Sequence, residues 1–157
     1  MVNVNADIIS YLSIGDIEIG KNIVNYDFYH DPVFINSFSS SNPELTGRIV
    51  FYYDLDECMY VSTEEDGTII ALGCHENYKG KYNKKLYPGI TMGELIKSTN
   101  SQRILNGTLV VDEDYGISFT LPSPYNEIAD YIEHIPLDLK LNEIYVEDNS
   151  FWEPKGK

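Results

Sequence analysis

Apolar and polar residues alternate along the centre of the chain, which is typical of strands that bury one face. Three runs rich in β-branched and aromatic residues lie at 49–53, 58–62 and 68–72. The second and third are separated by Glu64-Glu65-Asp66-Gly67, whose Asp-Gly pair can supply the positive φ of a tight hairpin. The pattern therefore predicts three consecutive antiparallel strands.

A second hairpin is predicted nearer the C-terminus. Residues 105–111 and 116–121 favour strands, and every other residue of the second segment is apolar. The acidic segment between them favours a turn. A last strand is predicted at 139–146.

Short helical patterns accompany these strands. They lie at 94–99 and at 125–135, where four apolar residues follow helical spacing and Pro136 ends the segment. Hairpins dominate, and strands do not alternate with helices. The sequence therefore predicts an α+β fold in a single domain over residues 1–157. Its main part is a mainly antiparallel β-sheet built from hairpins, with two or three short helices.

Two further segments have a distinct composition. Residues 36–47 are rich in Ser, Asn, Pro and Gly, which predicts a flexible loop. Residues 17–24 and 90–96 share the pattern apolar-x-apolar-Gly. We interpret this similarity as a weak internal repeat, with chance as the alternative.

The chain is strongly acidic. It has 157 residues with 25 Asp and Glu against 11 Lys and Arg, a formal charge of −14. This balance argues against direct binding of nucleic acid or of an anionic membrane, because Lys and Arg drive phosphate binding. It favours a basic partner instead.

The N-terminal segment and the cysteines predict a cytoplasmic protein. Residues 1–16 contain two acids and no Lys or Arg, unlike a secretory signal, and no apolar run approaches the length of a membrane span. Cys58 and Cys74 lack CxxC spacing. With a three-residue hairpin loop they would face each other, as a disulfide or as reduced thiols. We expect the thiols.

Candidate chemistry is sparse. His30, His75 and His134 lack the spacing of metal ligands, and the sequence has no G-x-S-x-G, P-loop or G-x-G-x-x-G motif. Asp112-Glu113-Asp114 resembles part of a metal site, but acidic residues are ordinary in turns. The sequence therefore predicts no metal, no cofactor and no enzymatic activity.

The arrangement of the charges is the informative feature. Residues 49–78 contain seven acids and no Lys or Arg, and Tyr residues are interleaved with them. A solvated acidic surface is one interpretation. The other is a surface that binds a cationic protein, with Tyr as anchor. The residues predicted to form that surface are Asp54, Asp56, Glu57, Glu64, Glu65, Asp66, Asp112, Glu113, Asp114 and Tyr115.

Two segments carry a family resemblance. Leu86–Ile96 and Val110–Phe119 resemble small α+β immunity proteins of bacterial contact-dependent growth inhibition and related polymorphic-toxin systems. The resemblance covers roughly residues 49–146 and lies in acidic, Tyr-rich successive hairpins. It implies a cytoplasmic, non-enzymatic inhibitor. Such a protein binds its cognate toxin domain, often a basic nuclease such as an RNase, and occludes the active site or substrate groove.

Two alternatives belong to other function classes. A small hydrolase would use paired carboxylates in a cleft, and would need a pocket containing a carboxyl whose pKa is raised by burial. A general protein-interaction module would have no toxin partner, and the repeated segments would mark twin subdomains.

Overall fold

The central element of the protein is an antiparallel sheet of eight strands. The structure, a computed structural model, describes residues 2–30, 38–40, 49–55 and 58–154. The strands in chain order are β1 (Ser13–Ile14), β2 (Ile17–Glu18), β3 (Phe38–Ser40), β4 (Val50–Leu55), β5 (Met59–Glu64), β6 (Ile69–His75), β7 (Ile90–Thr91), β8 (Gln102–Leu105), β9 (Thr108–Val111), β10 (Ile117–Thr120), β11 (Lys140–Leu141) and β12 (Glu143–Glu147). The order in the large sheet is β3-β4-β5-β6-β12-β10-β9-β8.

The C-terminal strand joins two meanders. Strands β3 to β6 follow one another in the sheet, as do β8 to β10, and β12 lies between β6 and β10. It pairs with β6 from Glu143↔His75 to Glu147↔Ala71, and with β10 through Ile117↔Val146 and Phe119↔Ile144. Each meander would expose an unpaired edge without β12, so this strand completes the sheet.

Short helices and two small strand pairs accompany the large sheet. Helix α1 is Met92–Ser98, and the Thr91 side chain accepts a hydrogen bond from the Glu94 amide at its N-terminus (3.3 Å). Helix α2 is Tyr125–Ile128. Single 3-10 turns lie at Ile23–Asn25, Asp27–His30, Ile132–His134 and Ser150–Trp152. Strand β1 pairs with β2, and β7 pairs with β11. The described helices are all too short to cross a membrane.

The core lies on one face of the large sheet. Alternation along β5 places Met59 and Val61 on that face, and their partners across β6 and β12 are equally buried. Residues from the N-terminal segment and α1 join them in one apolar cluster. Its fully buried members include Ile14, Ile17, Leu72, Leu95, Phe119 and Ile144.

The predicted fold class is confirmed, with three local differences. Residues 139–146 are not one strand, because β11 pairs with β7 in a small sheet and β12 pairs with β6 and β10 in the large sheet. Residues 105–111 are not one strand, because Asn106 and Gly107 form a turn with φ of 50° and 78° between β8 and β9. Residues 125–135 are not one helix, because α2 ends at Ile128 and Ala129 is extended. The extended backbone lets Ala129 and Ile135 both enter the core, which outweighs the local helical pattern.

The predicted loop and repeat lie only partly in the described residues. Within residues 36–47, Phe38–Ser40 form β3 on the edge of the sheet beside β4, so this part is a strand and not a loop. The other residues of that prediction lie outside the described residues. Of the repeated segments, one contains β2 and a 3-10 turn, and the other contains β7 and α1. The internal repeat stays a prediction.

A β-bulge decides the positions of the cysteines. Thr63 pairs with Ile69, but the register then shifts, and at the other end of the hairpin Met59 faces Cys74. Cys58 is therefore one residue out of the predicted alignment. Both cysteines are thiols. Burial, followed by the proximity of Cys58, raises the pKa of the Cys74 thiol, so Cys74 stays protonated at neutral pH.

Candidate functional site

The topology brings three acidic segments to one end of the large sheet. Because β6 and β10 both run antiparallel to β12, the turns that precede them meet the C-terminal end of β12. We call this region the acidic end. Its carboxylates are Glu64, Glu65, Asp66, Asp112, Glu113, Asp114, Glu147, Asp148 and Glu153. Lys21 and Arg103 also lie near it, since the Lys21 carbonyl accepts from the Ile69 amide and Arg103 donates to the Tyr115 hydroxyl.

Tyr11 lies among these carboxylates. Its side chain is 45% exposed, and its neighbours Ile9 and Leu12 are similarly exposed. Burial, then the charges of Asp114, Asp148 and Glu153, raises the pKa of the Tyr11 hydroxyl. The hydroxyl of one exposed ring is therefore influenced by carboxylates from two segments, the β9–β10 turn with Asp114 and the C-terminal segment with Asp148 and Glu153. An aromatic and apolar centre with a charged rim is the usual composition of a protein-binding surface.

Asp114 holds the Tyr11 segment in place. Its carboxylate accepts hydrogen bonds from the Ser10 and Tyr82 hydroxyls, and from the Gly116 amide at 3.0 Å. The Tyr11 amide in turn donates to the Gly116 carbonyl at 3.3 Å. Asp114 is therefore a structural link between the N-terminal segment and the β9–β10 turn as well as a charge at the acidic end.

Other acidic side chains of this end are fixed by backbone hydrogen bonds. The Asp112 carboxylate accepts from the amides of Asn100 (2.6 Å) and Ser101 (3.0 Å). Hydrogen bonds from Thr68 lower the pKa of Asp66, and hydrogen bonds from Ser150 lower the pKa of Asp148. Asp66 and Asp148 are consequently ionised at neutral pH and held in defined positions.

The predicted surface residues are divided by the fold. Glu64 to Asp66 and Asp112 to Asp114 lie together at the acidic end, whereas Asp54 lies towards the opposite end, where it pairs with Tyr60. Asp56 and Glu57 lie outside the described residues. Tyr115 was predicted to be an exposed anchor, and this is wrong because only 2% of it is exposed. Its hydroxyl accepts a hydrogen bond from Arg103 at 3.1 Å.

The second face of the sheet carries aromatic and acidic side chains. One row across it runs Asp54, Tyr60, Gly73, Tyr145 and Ser118. The Tyr145 ring lies directly over Gly73, where an added Cβ would be 2.5 Å from the ring. Tyr60 and Tyr145 are nearly parallel, with centroids 6.4 Å apart. Glycine at position 73 therefore provides the space that the aromatic ring occupies.

A cavity lies on this face, at the end opposite to the acidic end. Its volume is about 260 Å³, and its lining residues are Tyr60, His75, Glu76, Thr120, Pro122, Asn142 and Glu143. Tyr60 contacts the His75 ring at a centroid distance of 6.1 Å. Glu143 accepts a hydrogen bond from the Tyr145 hydroxyl at 3.2 Å. Two carboxylates and an aromatic wall therefore share one depression.

Within the described ranges, no group of three or more His, Cys, Asp or Glu side chains is arranged to hold a metal ion. The acidic turn at Asp112–Asp114 instead uses its carboxylates for hydrogen bonds to the chain itself. The observed geometry of this turn is therefore explained by its structural role.

We expect Glu147→Gln to stabilise the protein at neutral pH. Burial raises the pKa of Glu147, so the folded protein keeps a proton that the unfolded chain has already released. The stabilisation from this proton is complete below the pKa of Glu147 in the unfolded chain and is lost as the pH rises through its pKa in the folded protein. Glutamine does not titrate, so the variant does not lose this stability as the pH rises. Urea unfolding of both proteins at a series of pH values measures the difference.

The matched control for this prediction is Glu65→Gln. It removes the same charge from an exposed turn, and so it reports the general benefit of reducing a net charge of −14. The interpretation requires Glu147→Gln to gain more stability than the control. Identical pH profiles for the two variants would contradict it.

Several residues of the site were not predicted from the sequence. Tyr11, Asp148 and Glu153 join the acidic end through tertiary contacts of the two terminal segments. The alternation of Glu143 and Tyr145 along the last predicted strand was a usable signal, because it places both on one face, and Glu147 continues that face one residue beyond the predicted end.

Comparisons of this chain with protein-family models, with curated proteins and with solved structures find no match.

Proposed function

We propose that this protein binds a basic protein partner through the acidic end. The observation that carries the proposal is the exposed Tyr11 side chain at the acidic end, where the Tyr11 amide donates to the Gly116 carbonyl and the adjacent Ser10 hydroxyl donates to Asp114. Ionised carboxylates attract a cationic surface and accelerate encounter, and an exposed aromatic ring supplies contact area for the bound state. The adjacent apolar side chains Ile9 and Leu12 extend that contact area.

In this proposal the partner is a toxin domain and the protein is its immunity protein. The resemblance to polymorphic-toxin immunity proteins supports this role, as does the net charge of −14. A nuclease must carry Lys and Arg where it binds phosphates. An acidic protein that covers this phosphate-binding surface excludes nucleic acid, because its carboxylates pair with the same Lys and Arg side chains. One inhibitor molecule binds one toxin molecule.

The test of this role is co-expression with the C-terminal domain of a large secreted protein encoded directly upstream. We expect the two chains to purify together and the bacterial culture to resume growth. Toxicity that persists despite stable expression of the acidic protein would contradict the immunity role. A complex without any toxicity of the upstream domain would instead identify a general interaction module.

We expect the double charge reversal Asp148→Lys with Glu153→Lys to reduce the association rate with that partner by about tenfold at low salt. Both side chains are exposed and lie beside Tyr11. The difference from wild type should diminish at high ionic strength, because salt screens exposed charges. Stopped-flow mixing at two salt concentrations measures both effects.

The control for the charge reversal is Glu127→Lys with Asp138→Lys. These side chains are also exposed, and they produce the same change in net charge outside the acidic end. We expect a much smaller effect from this pair. Equal effects would show that net charge alone drives association and would remove the role of the acidic end.

Carboxylate-dependent hydrolysis is the less supported alternative. It requires a carboxyl with a raised pKa inside a pocket. Glu147 is a carboxyl whose pKa burial raises, but it is not among the residues that line the cavity. The two features therefore lie on different residues, and binding accounts for more of the observed geometry.

A further inference from the structure

Beside His75, Thr120 and Pro122, the lining of the cavity on the second face includes three kinds of side chain that can contact a cation. Glu76 and Glu143 contribute carboxylates, Asn142 contributes an amide, and Tyr60 contributes an aromatic ring. Its volume of about 260 Å³ is below the usual range for small-molecule sites, about 300–1,000 Å³. It is therefore suited to a single side chain or a small cationic group.

Contacts with neighbouring residues of the sheet fix the side chains that line the cavity. The Tyr145 hydroxyl donates to Glu143, and the Tyr145 ring lies over Gly73 and beside the nearly parallel ring of Tyr60. The Tyr60 ring also contacts His75 at its edge. Ordered side chains lose little conformational entropy when a ligand binds, so this wall is suited to recognition.

We propose that this cavity binds the guanidinium group of an arginine side chain. The natural occupant of the cavity would be an arginine of the basic partner, and this identification rests on the function proposed above. A guanidinium is planar and positively charged, and all its N–H groups are donors. Carboxylates accept these donors, and the face of a tyrosine ring attracts the cation.

Arginine fits these walls better than lysine for physical reasons. Its guanidinium is less strongly hydrated than an ammonium group and it stacks on aromatic rings. It also bonds to more than one acceptor in a single plane. The cavity offers acceptors from Glu143 and Asn142 beside the ring of Tyr60. A planar guanidinium can bond to both acceptors while it stacks on that ring, whereas an ammonium group has no plane to stack and is more strongly hydrated.

The experiment is an NMR titration of the whole protein with N-acetyl-arginine methylamide, which carries the side chain without terminal charges. The lysine and citrulline analogues are titrated in parallel, and citrulline has the same shape without the charge. We expect saturable shifts at His75 and Asn142 in the millimolar range for arginine. We expect binding at least about fivefold weaker for lysine and no saturation for citrulline.

The decisive variant is Glu143→Gln. Its side chain keeps an oxygen that accepts from the Tyr145 hydroxyl, so the wall stays in place while the charge is lost. We expect arginine affinity to fall by about tenfold, as for loss of a charge-assisted hydrogen bond. Tyr60→Leu is a second variant that removes the aromatic face. Glu133→Gln, at an exposed position of the 3-10 turn Ile132–His134 outside both the cavity and the acidic end, is the matched control and should bind as wild type does.

Three results would overturn the proposal: no saturation with arginine, equal binding of citrulline, or unchanged affinity in Glu143→Gln. These results are independent of the proposed immunity role, because the titration contains no partner protein. Saturable, Glu143-dependent binding of arginine would stand even if co-expression gave no complex. A complex formed without arginine binding would leave the proposed function intact and remove the cavity from it.

Discussion

Replacement of Ile144 by aspartate is expected to destabilise the protein by at least about 4 kcal/mol. The Ile144 side chain is fully buried, and it lies in the strand that joins the two meanders. Its cross-strand partners are Cys74 on β6 and Phe119 on β10, so a carboxylate there would have apolar neighbours on both sides. The charge would be desolvated, and the packing of both halves of the sheet would be disturbed.

Thermal and urea unfolding measure this loss. For a chain of this size the expected decrease in Tm is about 10 °C or more, and a domain of ordinary stability, about 5–15 kcal/mol, would be close to unfolding. Asn142→Asp is the control, because it adds the same charge two residues earlier at an exposed position. We expect that control to change stability by less than about 0.5 kcal/mol. Similar losses in the two variants would contradict a central role for β12.

Asp114→Ala is expected to cost about 3 kcal/mol. Hydrogen bonds to charged groups contribute about 1.5–3 kcal/mol each, and Asp114 accepts from Ser10, Tyr82 and the Gly116 amide. The three bonds share one carboxylate, so their contributions do not add fully. Burial, with the hydrogen bond to Asp114 next in importance, raises the pKa of the Tyr82 hydroxyl, which stays a neutral donor across the physiological range.

Hydrogen exchange distinguishes this local effect from a general loss of charge. We expect the Gly116 amide to exchange faster in Asp114→Ala, and the Tyr11 amide with it, because Tyr11 donates to the Gly116 carbonyl. Glu65→Ala removes an exposed carboxylate of the same end and should leave both amides protected. If the two variants lose equal stability, Asp114 is a surface charge and not a structural link.

The same variant connects stability with the proposed function. Ser10 precedes Tyr11, so loss of its hydrogen bond to Asp114 releases the segment that presents the exposed ring. Partner binding by Asp114→Ala should therefore weaken more than the loss of one charge would cause. The double charge reversal at Asp148 and Glu153 leaves this link intact, and it provides the comparison.

Residues that depend on local pattern were predicted well. The alternation at 58–62 and the Asp66-Gly67 turn predicted a hairpin, and β5 and β6 form it. Thr91 caps α1 close to the predicted start of that helix. These features depend on side-chain periodicity and turn chemistry, which neighbouring residues determine. The α+β class followed from them.

Two of the predictions that failed depended on contacts between distant segments. The acidic neighbours of Tyr115 in sequence predict an anchor there, but its ring is buried and Tyr11 is exposed in the same region. The bulge between the two ends of the β5–β6 hairpin moved Cys58 out of line with Cys74. Sequence periodicity does not show which side chain becomes buried by packing against a distant segment. It also does not show where a β-bulge adds an unpaired residue to a strand.

By itself, the sequence determined the β5–β6 hairpin, the antiparallel sheet class and the excess of acidic residues, because each is a property of neighbouring residues or of composition. Only the tertiary structure decided that β12 joins the two meanders, and that this topology collects the acidic turns at one end around Tyr11. It also formed the cavity between Glu76, Glu143 and Tyr60. Strand order depends on the packing free energy of the whole core, which no local pattern contains.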